Sequence, residues 1–186
     1  FLRTQGNSIF GNAFYRNEGN GQYTEISDKM GAENYWPWGL SAADLNADGF
    51  DDVFVASSMN YPFRYAVNSV LLNNKGRGFL DSEYVLGVEP RKNGITAAPW
   101  FELDCSGRDA GGKLCGNTKG RRVIWGALGS RSSVIFDLDQ DGDQDIVTLE
   151  FNQPPLLLIS NLSAMQKLHY LNVKLKGNSS NRGGIG

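Results

Sequence analysis

Two stretches, "DLNADGFDD" at 44–52 and "DLDQDGDQD" at 137–145, are nearly the same word. Each sets acids or an amide on alternate positions, then a glycine, then an acid three residues further on. Nine of the chain's 20 acids fall in these two stretches. The charge is a local device, not a solvated surface.

Alternation explains the spacing. In a loop that curls around a point, positions 1, 3 and 5 aim side-chain oxygens at one centre. A glycine at position 6 permits the turn, position 7 offers its carbonyl, and a later acid closes the shell. A hard cation taking 6–8 oxygens at about 2.3–2.6 Å suits that arrangement, so calcium is the expected occupant, with the smaller, stricter magnesium less suited. The expected ligands are Asp44, Asn46, Asp48, the Phe50 carbonyl and Asp52 in one loop. In the other they are Asp137, Asp139, Asp141, the Asp143 carbonyl and Asp145. Asp51 and the side chain of Asp143 are spare in this count. An EF-hand would close with Glu at position 12, where this chain has Val55 and Thr148. Both lie in strand-like runs, so each loop reads as a hairpin tip between strands. Clustered carboxylates repel one another, which gives the metal a structural role. The competing reading is two acidic turns holding no metal, since Asp, Asn and Gly fill ordinary turns. The second loop has one more ligand carboxylate and is expected to bind more tightly.

The rest of the chain supports an all-β fold. Short runs rich in β-branched and aromatic residues recur: 52–57, 69–74, 122–128, 133–138, 145–151, 155–160 and "YLNVKLKG" at 170–177. Glycine, asparagine and aspartate separate them. "FYRNEGNGQY" at 14–23 echoes "LLNNKGRGF" at 71–79 at an offset of 57, whereas the acidic loops recur at 93. The difference places an insertion at about 87–129. The unit implied is four antiparallel strands with a cation-binding hairpin loop, which suits β-propeller blades; a sandwich is the alternative. At this period 186 residues make only part of a propeller. The chain begins at Phe1 and ends in "NRGGIG", so it is expected to be a segment of a longer protein.

Charge and hydropathy exclude other classes. With 18 basic and 20 acidic residues there is no basic field for nucleic acid. No run approaches the ~18 apolar residues of a membrane helix. "DCSGRDAGGKLCG" holds the two cysteines, Cys105 and Cys115. A disulfide closing that loop is expected; two free thiols are the alternative, and a zinc site falls short of four ligands. A disulfide would suit an exported protein.

"DLNADGFDDVFVA" and "DLDQDGDQDIVTL" resemble the cation-binding loops of FG-GAP/VCBS repeats, the units of integrin-like β-propellers. "NEGNGQYTEIS" and "NNKGRGFLDS" resemble the glycine-rich segments of the same repeats. "LHYLNVKLKGNSSNRGGIG" looks like the opening of an ASPIC/UnbV domain. Residues 1–165 are thus expected to be propeller repeats and 166–186 the start of that second segment. The combination is similar to secreted proteins of the cartilage acidic protein type. It implies a secreted, periplasmic or cell-surface protein with two calcium ions and a role in protein or glycan binding or adhesion. Self-association is a further possibility.

A catalytic constellation is hard to find. His169 is the single histidine, and neither a G-x-S-x-G elbow nor a P-loop occurs. Glu102 and Asp104 could form an acid pair of the glycosidase kind or belong to a polar loop. The expectation is a protein without enzymatic activity; a carbohydrate-active enzyme and a structural surface or filament component are the alternatives. Tyr35, Trp36 and Trp38 either pack between blades or stack on a ligand. "NLS" at 161–163 and "NSS" at 178–180 are sequons.

Overall fold

The computed structural model describes residues 11–58, 64–178 and 181–183. Among these the architecture is all-β, with eleven strands in antiparallel sheets and two helices of four residues. β1 (Tyr15–Gly19) and β2 (Gln22–Glu25) form a hairpin. Its tip sets Asn20 and Gly21 at φ 53° and 75°, the two-residue turn whose twist matches that of paired strands. The helix α1 (Ser27–Met30) leads to β3 (Pro37–Ala43), the first acidic loop and β4 (Asp52–Ser57). β5 (Ser69–Asn73) and β6 (Phe79–Asp81) repeat the tight hairpin, with Lys75 and Gly76 at φ 53° and 73°. Gly21 therefore corresponds to Gly76, an offset of 55. The glycine spacing alone suggests 57, a slip of two residues.

These strands form a four-stranded sheet in the order β3-β4-β5-β6, the expected antiparallel unit. Sheet and sequence repeat are out of phase. The acidic hairpin of one repeat pairs with the glycine-turn hairpin of the next, because β4 pairs with β5.

The segment between the two sheets contains a ribbon of β7 (Ala97–Asp104) and β8 (Arg121–Ala127). These strands pair only with each other among the described residues. A disulfide joins Cys105 to Cys115 just beyond the end of β7. β7 was not among the expected strands. Its alternation of Phe101 and Leu103 with Glu102 and Asp104 carries the strand period, but the cysteine-rich stretch beside it reads as a loop.

β9 (Ser130–Phe136), the second acidic loop, β10 (Asp145–Glu150) and β11 (Leu156–Leu158) make the second sheet, in the order β9-β10-β11. Val53 faces Leu71 in one sheet, and its counterpart Ile146 faces Leu158 in the other. The helix α2 (Leu162–Met165) follows.

The core lies between the two sheets. Phe54, Ala56, Val70 and Ile146 are buried there, with Leu45, Leu72, Val88, Ile135 and Leu158 against them. The first strands of the sheets meet closely: the Ser41 hydroxyl donates to the Ser133 carbonyl at 2.9 Å. A Cβ on Gly39 would stand 2.7 Å from the Ser132 Cα, so that approach requires glycine.

Two expectations change here. The stretch 170–177 is not a strand. Leu171, Val173 and Leu175 do alternate, but all three are exposed, and no strand lies beside them among the described residues. A strand needs a neighbour's N–H and C=O groups as well as an apolar face. Tyr35, Trp36 and Trp38 do not fill space between the sheets but are exposed. Trp38 is held from one side by the Arg131 guanidinium, 3.9 Å from its ring. The connection "NYPFRY" at 60–65, long enough in the sequence to form part of a binding face, lies for 60–63 outside the described residues, as does most of the second sequon.

Candidate metal centres

Both acidic loops are built by the same hydrogen bonds. In the first, Asp44 accepts from the N–H groups of Asp48 and Gly49 at 3.0 and 2.8 Å. In the second, Asp137 accepts from those of Asp141 and Gly142 at 3.1 and 3.0 Å. Asp48 accepts from Phe50 N–H at 3.0 Å, and Asp141 from Asp143 N–H at 3.2 Å. The backbone agrees as well: Ala47 and Gly49 have φ 59° and 90°, Gln140 and Gly142 66° and 98°. The turn at position 6 was legible from its glycine. The left-handed residue at position 4 was not, because alanine and glutamine carry no such signal.

The closing acids do more than end the loop. Asp52 accepts from Leu45 N–H at 2.9 Å and from the N–H of Asn73, at the end of the neighbouring strand β5, at 2.7 Å. Asp145 does the same with Leu138 and Ser160, both at 2.8 Å. Each is fully buried and ties its hairpin to the third strand of its sheet. Burial pushes the Asp52 carboxyl up, against the two backbone bonds that pull it down, and the charges of Asp48 and Asp44 add to the rise.

The second loop gathers its acids most closely. Asp137, Asp139 and Asp145 each offer a carboxylate oxygen within 4.8 Å of the others. Burial and the charges of Asp141 and Asp145 push the Asp139 carboxyl up. Asp141 is turned to the Ser163 hydroxyl, which donates to it and holds its carboxyl down. The spare side chain of Asp143 is also engaged, accepting from Ser163 N–H at 2.8 Å. In the first loop Asn46 stands where Asp139 does, and its amide donates to Asp48 at 3.3 Å. Asp44, Asp48 and Asp52 do not form a comparably close trio among the described residues. The donor set is all oxygen in both loops and fits a hard cation, the second loop better than the first.

A second buried constellation escaped the sequence reading. Arg91, 9 % exposed, donates to Glu150, to Ser130 Oγ at 3.1 Å and to Tyr65 Oη at 2.8 Å. Tyr65 donates to Glu89 at 2.6 Å, and the Asn68 amide donates to Ser130 Oγ at 2.9 Å. This network joins the first sheet to the second beside the core. Its residues are scattered from 65 to 150, so no local pattern announces them. The proposed acid pair is ordinary by comparison: Glu102 is ion-paired with Arg121, and Asp104 accepts from Ser106 N–H at 3.2 Å. Both are exposed, as is His169.

These features define the class: an all-β chain of blade-like antiparallel sheets with acidic hairpin loops. Residues 2–55 match the family model of the FG-GAP-like repeat, which spans the first tight hairpin, the first acidic loop and most of β4. No curated protein matches the chain.

Proposed function

We propose that this chain is a calcium-binding β-propeller segment of an extracellular binding or adhesion protein, and that its metal ions are structural. The observation that carries the reading is the trio of Asp137, Asp139 and Asp145, with oxygens within 4.8 Å of one another, in a loop whose hydrogen bonds repeat those of 44–52. Residues of both loops would hold the ions. A bound cation offsets carboxylate repulsion and stiffens the hairpin. The disulfide at Cys105–Cys115 supports an oxidising, non-cytosolic setting. The stretch 166–186 is read as the opening of an ASPIC/UnbV segment of a protein similar to the cartilage acidic protein type, and the ligand as a protein or a glycan. No catalytic role is assigned to any residue.

Calorimetric titration with calcium tests the metal reading: two binding events are expected, the stronger lost in Asp139→Ala. Absence of heat and of any calcium-induced rise in melting temperature would refute it. A glycan array combined with a turnover assay on polysaccharides tests the binding role, and turnover would favour an enzyme.

A further inference from the structure

The near balance of charge over the whole chain hides a separation. Between Cys105 and Arg122 stand five basic residues, Arg108, Lys113, Lys119, Arg121 and Arg122, and one acid, Asp109. The rest of the chain holds 13 of the 18 basic residues and 19 of the 20 acids. All five cations are exposed, and they lie at the end of the β7–β8 ribbon that the disulfide closes. Short bonds gather them. Cys105 N–H donates to the Gly120 carbonyl at 2.8 Å, and Gly120 N–H to Ser106 Oγ at 2.6 Å. These set Lys119 and Arg121 beside the turn that carries Arg108. Arg122 donates to the Leu114 carbonyl at 2.5 Å, next to Lys113. Arg108 and Lys113 line one cleft of about 360 Å³, and Arg108 and Arg121 another of about 320 Å³.

Acids answer only part of this charge. Arg108 pairs with Asp109 and Arg121 with Glu102, but the two arginine side chains are 78 % and 76 % exposed, and pairs in water are worth little. Among the described residues Lys113, Lys119 and Arg122 form no ion pair. Like charges held together repel. The cross-link and the backbone bonds keep them in place, so an anion finds its partners already arranged.

We propose that this end of the ribbon binds a sulfated glycan. The inference rests on reading the chain as an extracellular binding module, and it names the chemistry of the ligand. The sign of the patch requires an anion. Its shape disfavours a globular protein, because a stable protein interface takes about 800 Å² per partner and a two-stranded tip is narrow. A linear chain of anionic groups touches the tip alone and avoids the acidic remainder of the molecule. Arginine forks present paired N–H donors to an oxyanion, and clustered Lys and Arg are the footprint that sulfated polysaccharides select. The disulfide points to a setting outside the cytosol, away from nucleic acid.

The test titrates the whole chain with heparin, a sulfated polysaccharide, at several salt concentrations. Affinity should fall steeply as salt rises. Lys113→Gln with Lys119→Gln should weaken binding about tenfold or more and reduce the slope of log affinity against log salt by about 2. The melting temperature should stay unchanged. Lys113→Arg with Lys119→Arg should keep wild-type binding. Heparin should also shield Arg108, Lys113 and Lys119 of the wild type from trypsin. Desulfated heparin and polyglutamate should bind about tenfold more weakly or worse. Either single glutamine variant serves for the same readouts if the double one does not fold. Equal affinity for polyglutamate would make the tip a site for an acidic protein and overturn the inference. Heparin binding that the glutamine variants leave unchanged would overturn it too, while the binding-module reading stands. No binding of heparin, nor of any member of a glycan or protein array, would overturn both.

Discussion

Asp52 accepts a hydrogen bond from the backbone N–H of Asn73 at 2.7 Å, across a separation of 21 residues. Its other oxygen takes Leu45 N–H. The carboxylate is thus a strap between the acidic loop and the end of β5, whatever the loop holds. Asp52→Ala leaves two buried N–H groups unpaired and should lower stability by about 2–4 kcal/mol. Asp52→Asn keeps one good acceptor and should cost about half as much. Urea unfolding in the presence of chelator measures both, since the strap needs no metal. Equal stability of wild type and Asp52→Ala under chelator would leave Asp52 as a metal ligand only.

The strap shows where sequence reading succeeds and where it stops. The acidic loops could be read because every rule at work in them is local: alternate acids, a glycine at the turn, apolar strands on either side. The strands flanking them follow from the same short range. The partner of Asp52 could not be read, since nothing at Asn73 or Ser160 marks a backbone N–H as an acceptor's target. The phase of the sheets was hidden likewise, because pairing β4 with β5 is a choice among neighbours that periodicity does not make. At 170–177 a period-2 pattern predicts a strand whose partner is not among the described residues. The network around Arg91 lies at the far extreme: it assembles residues from 65 to 150, and each looks unremarkable in its own stretch.

That network predicts a large and asymmetric response. Arg91 and Glu150 are ion-paired with side chains 8 % and 2 % exposed. Removing one partner strands the other's charge inside, so Arg91→Ala or Glu150→Ala should each cost about 3–5 kcal/mol. Replacing both, as Arg91→Met with Glu150→Leu, should cost clearly less than the sum, because no charge is stranded. A double-mutant cycle by denaturant unfolding checks it. Additive losses would show that the two side chains act independently.

Tyr65 gives the network an alkaline signature. Burial, and then its hydrogen bond to the Glu89 carboxylate, push the phenol well above the usual tyrosine value. The folded protein therefore keeps this proton more firmly than the unfolded chain, whose tyrosines titrate at about pH 10. The stabilising contribution is complete below about pH 10 and is lost as pH rises through the folded value. Tyr65→Phe should be less stable at neutral pH, through the lost bonds to Glu89 and Arg91. It should also lose less stability than the wild type on going to alkaline pH. Unfolding midpoints across the alkaline range, with phenolate absorbance followed in parallel, provide the comparison. Parallel stability curves for the two proteins would count against a buried, proton-retaining Tyr65.

The ribbon of β7 and β8 should respond locally where the network responds globally. Cys105 and Cys115 are ten residues apart, and a loop that short is worth on the order of 2–3 kcal/mol when cross-linked. The two strands pair with nothing else among the described residues, and a two-stranded hairpin is marginal alone. The lost stability should therefore fall on the ribbon, not on the core around Phe54 and Ile146. With the double substitution Cys105→Ser and Cys115→Ser, trypsin should cut several-fold faster at Arg108, Lys113 and Lys119. The main unfolding transition should hardly move. Mass spectrometry of the early fragments locates the cuts, and calorimetry follows the transition. A fall in that transition matching the full cross-link energy would mean that the ribbon unfolds together with the sheets.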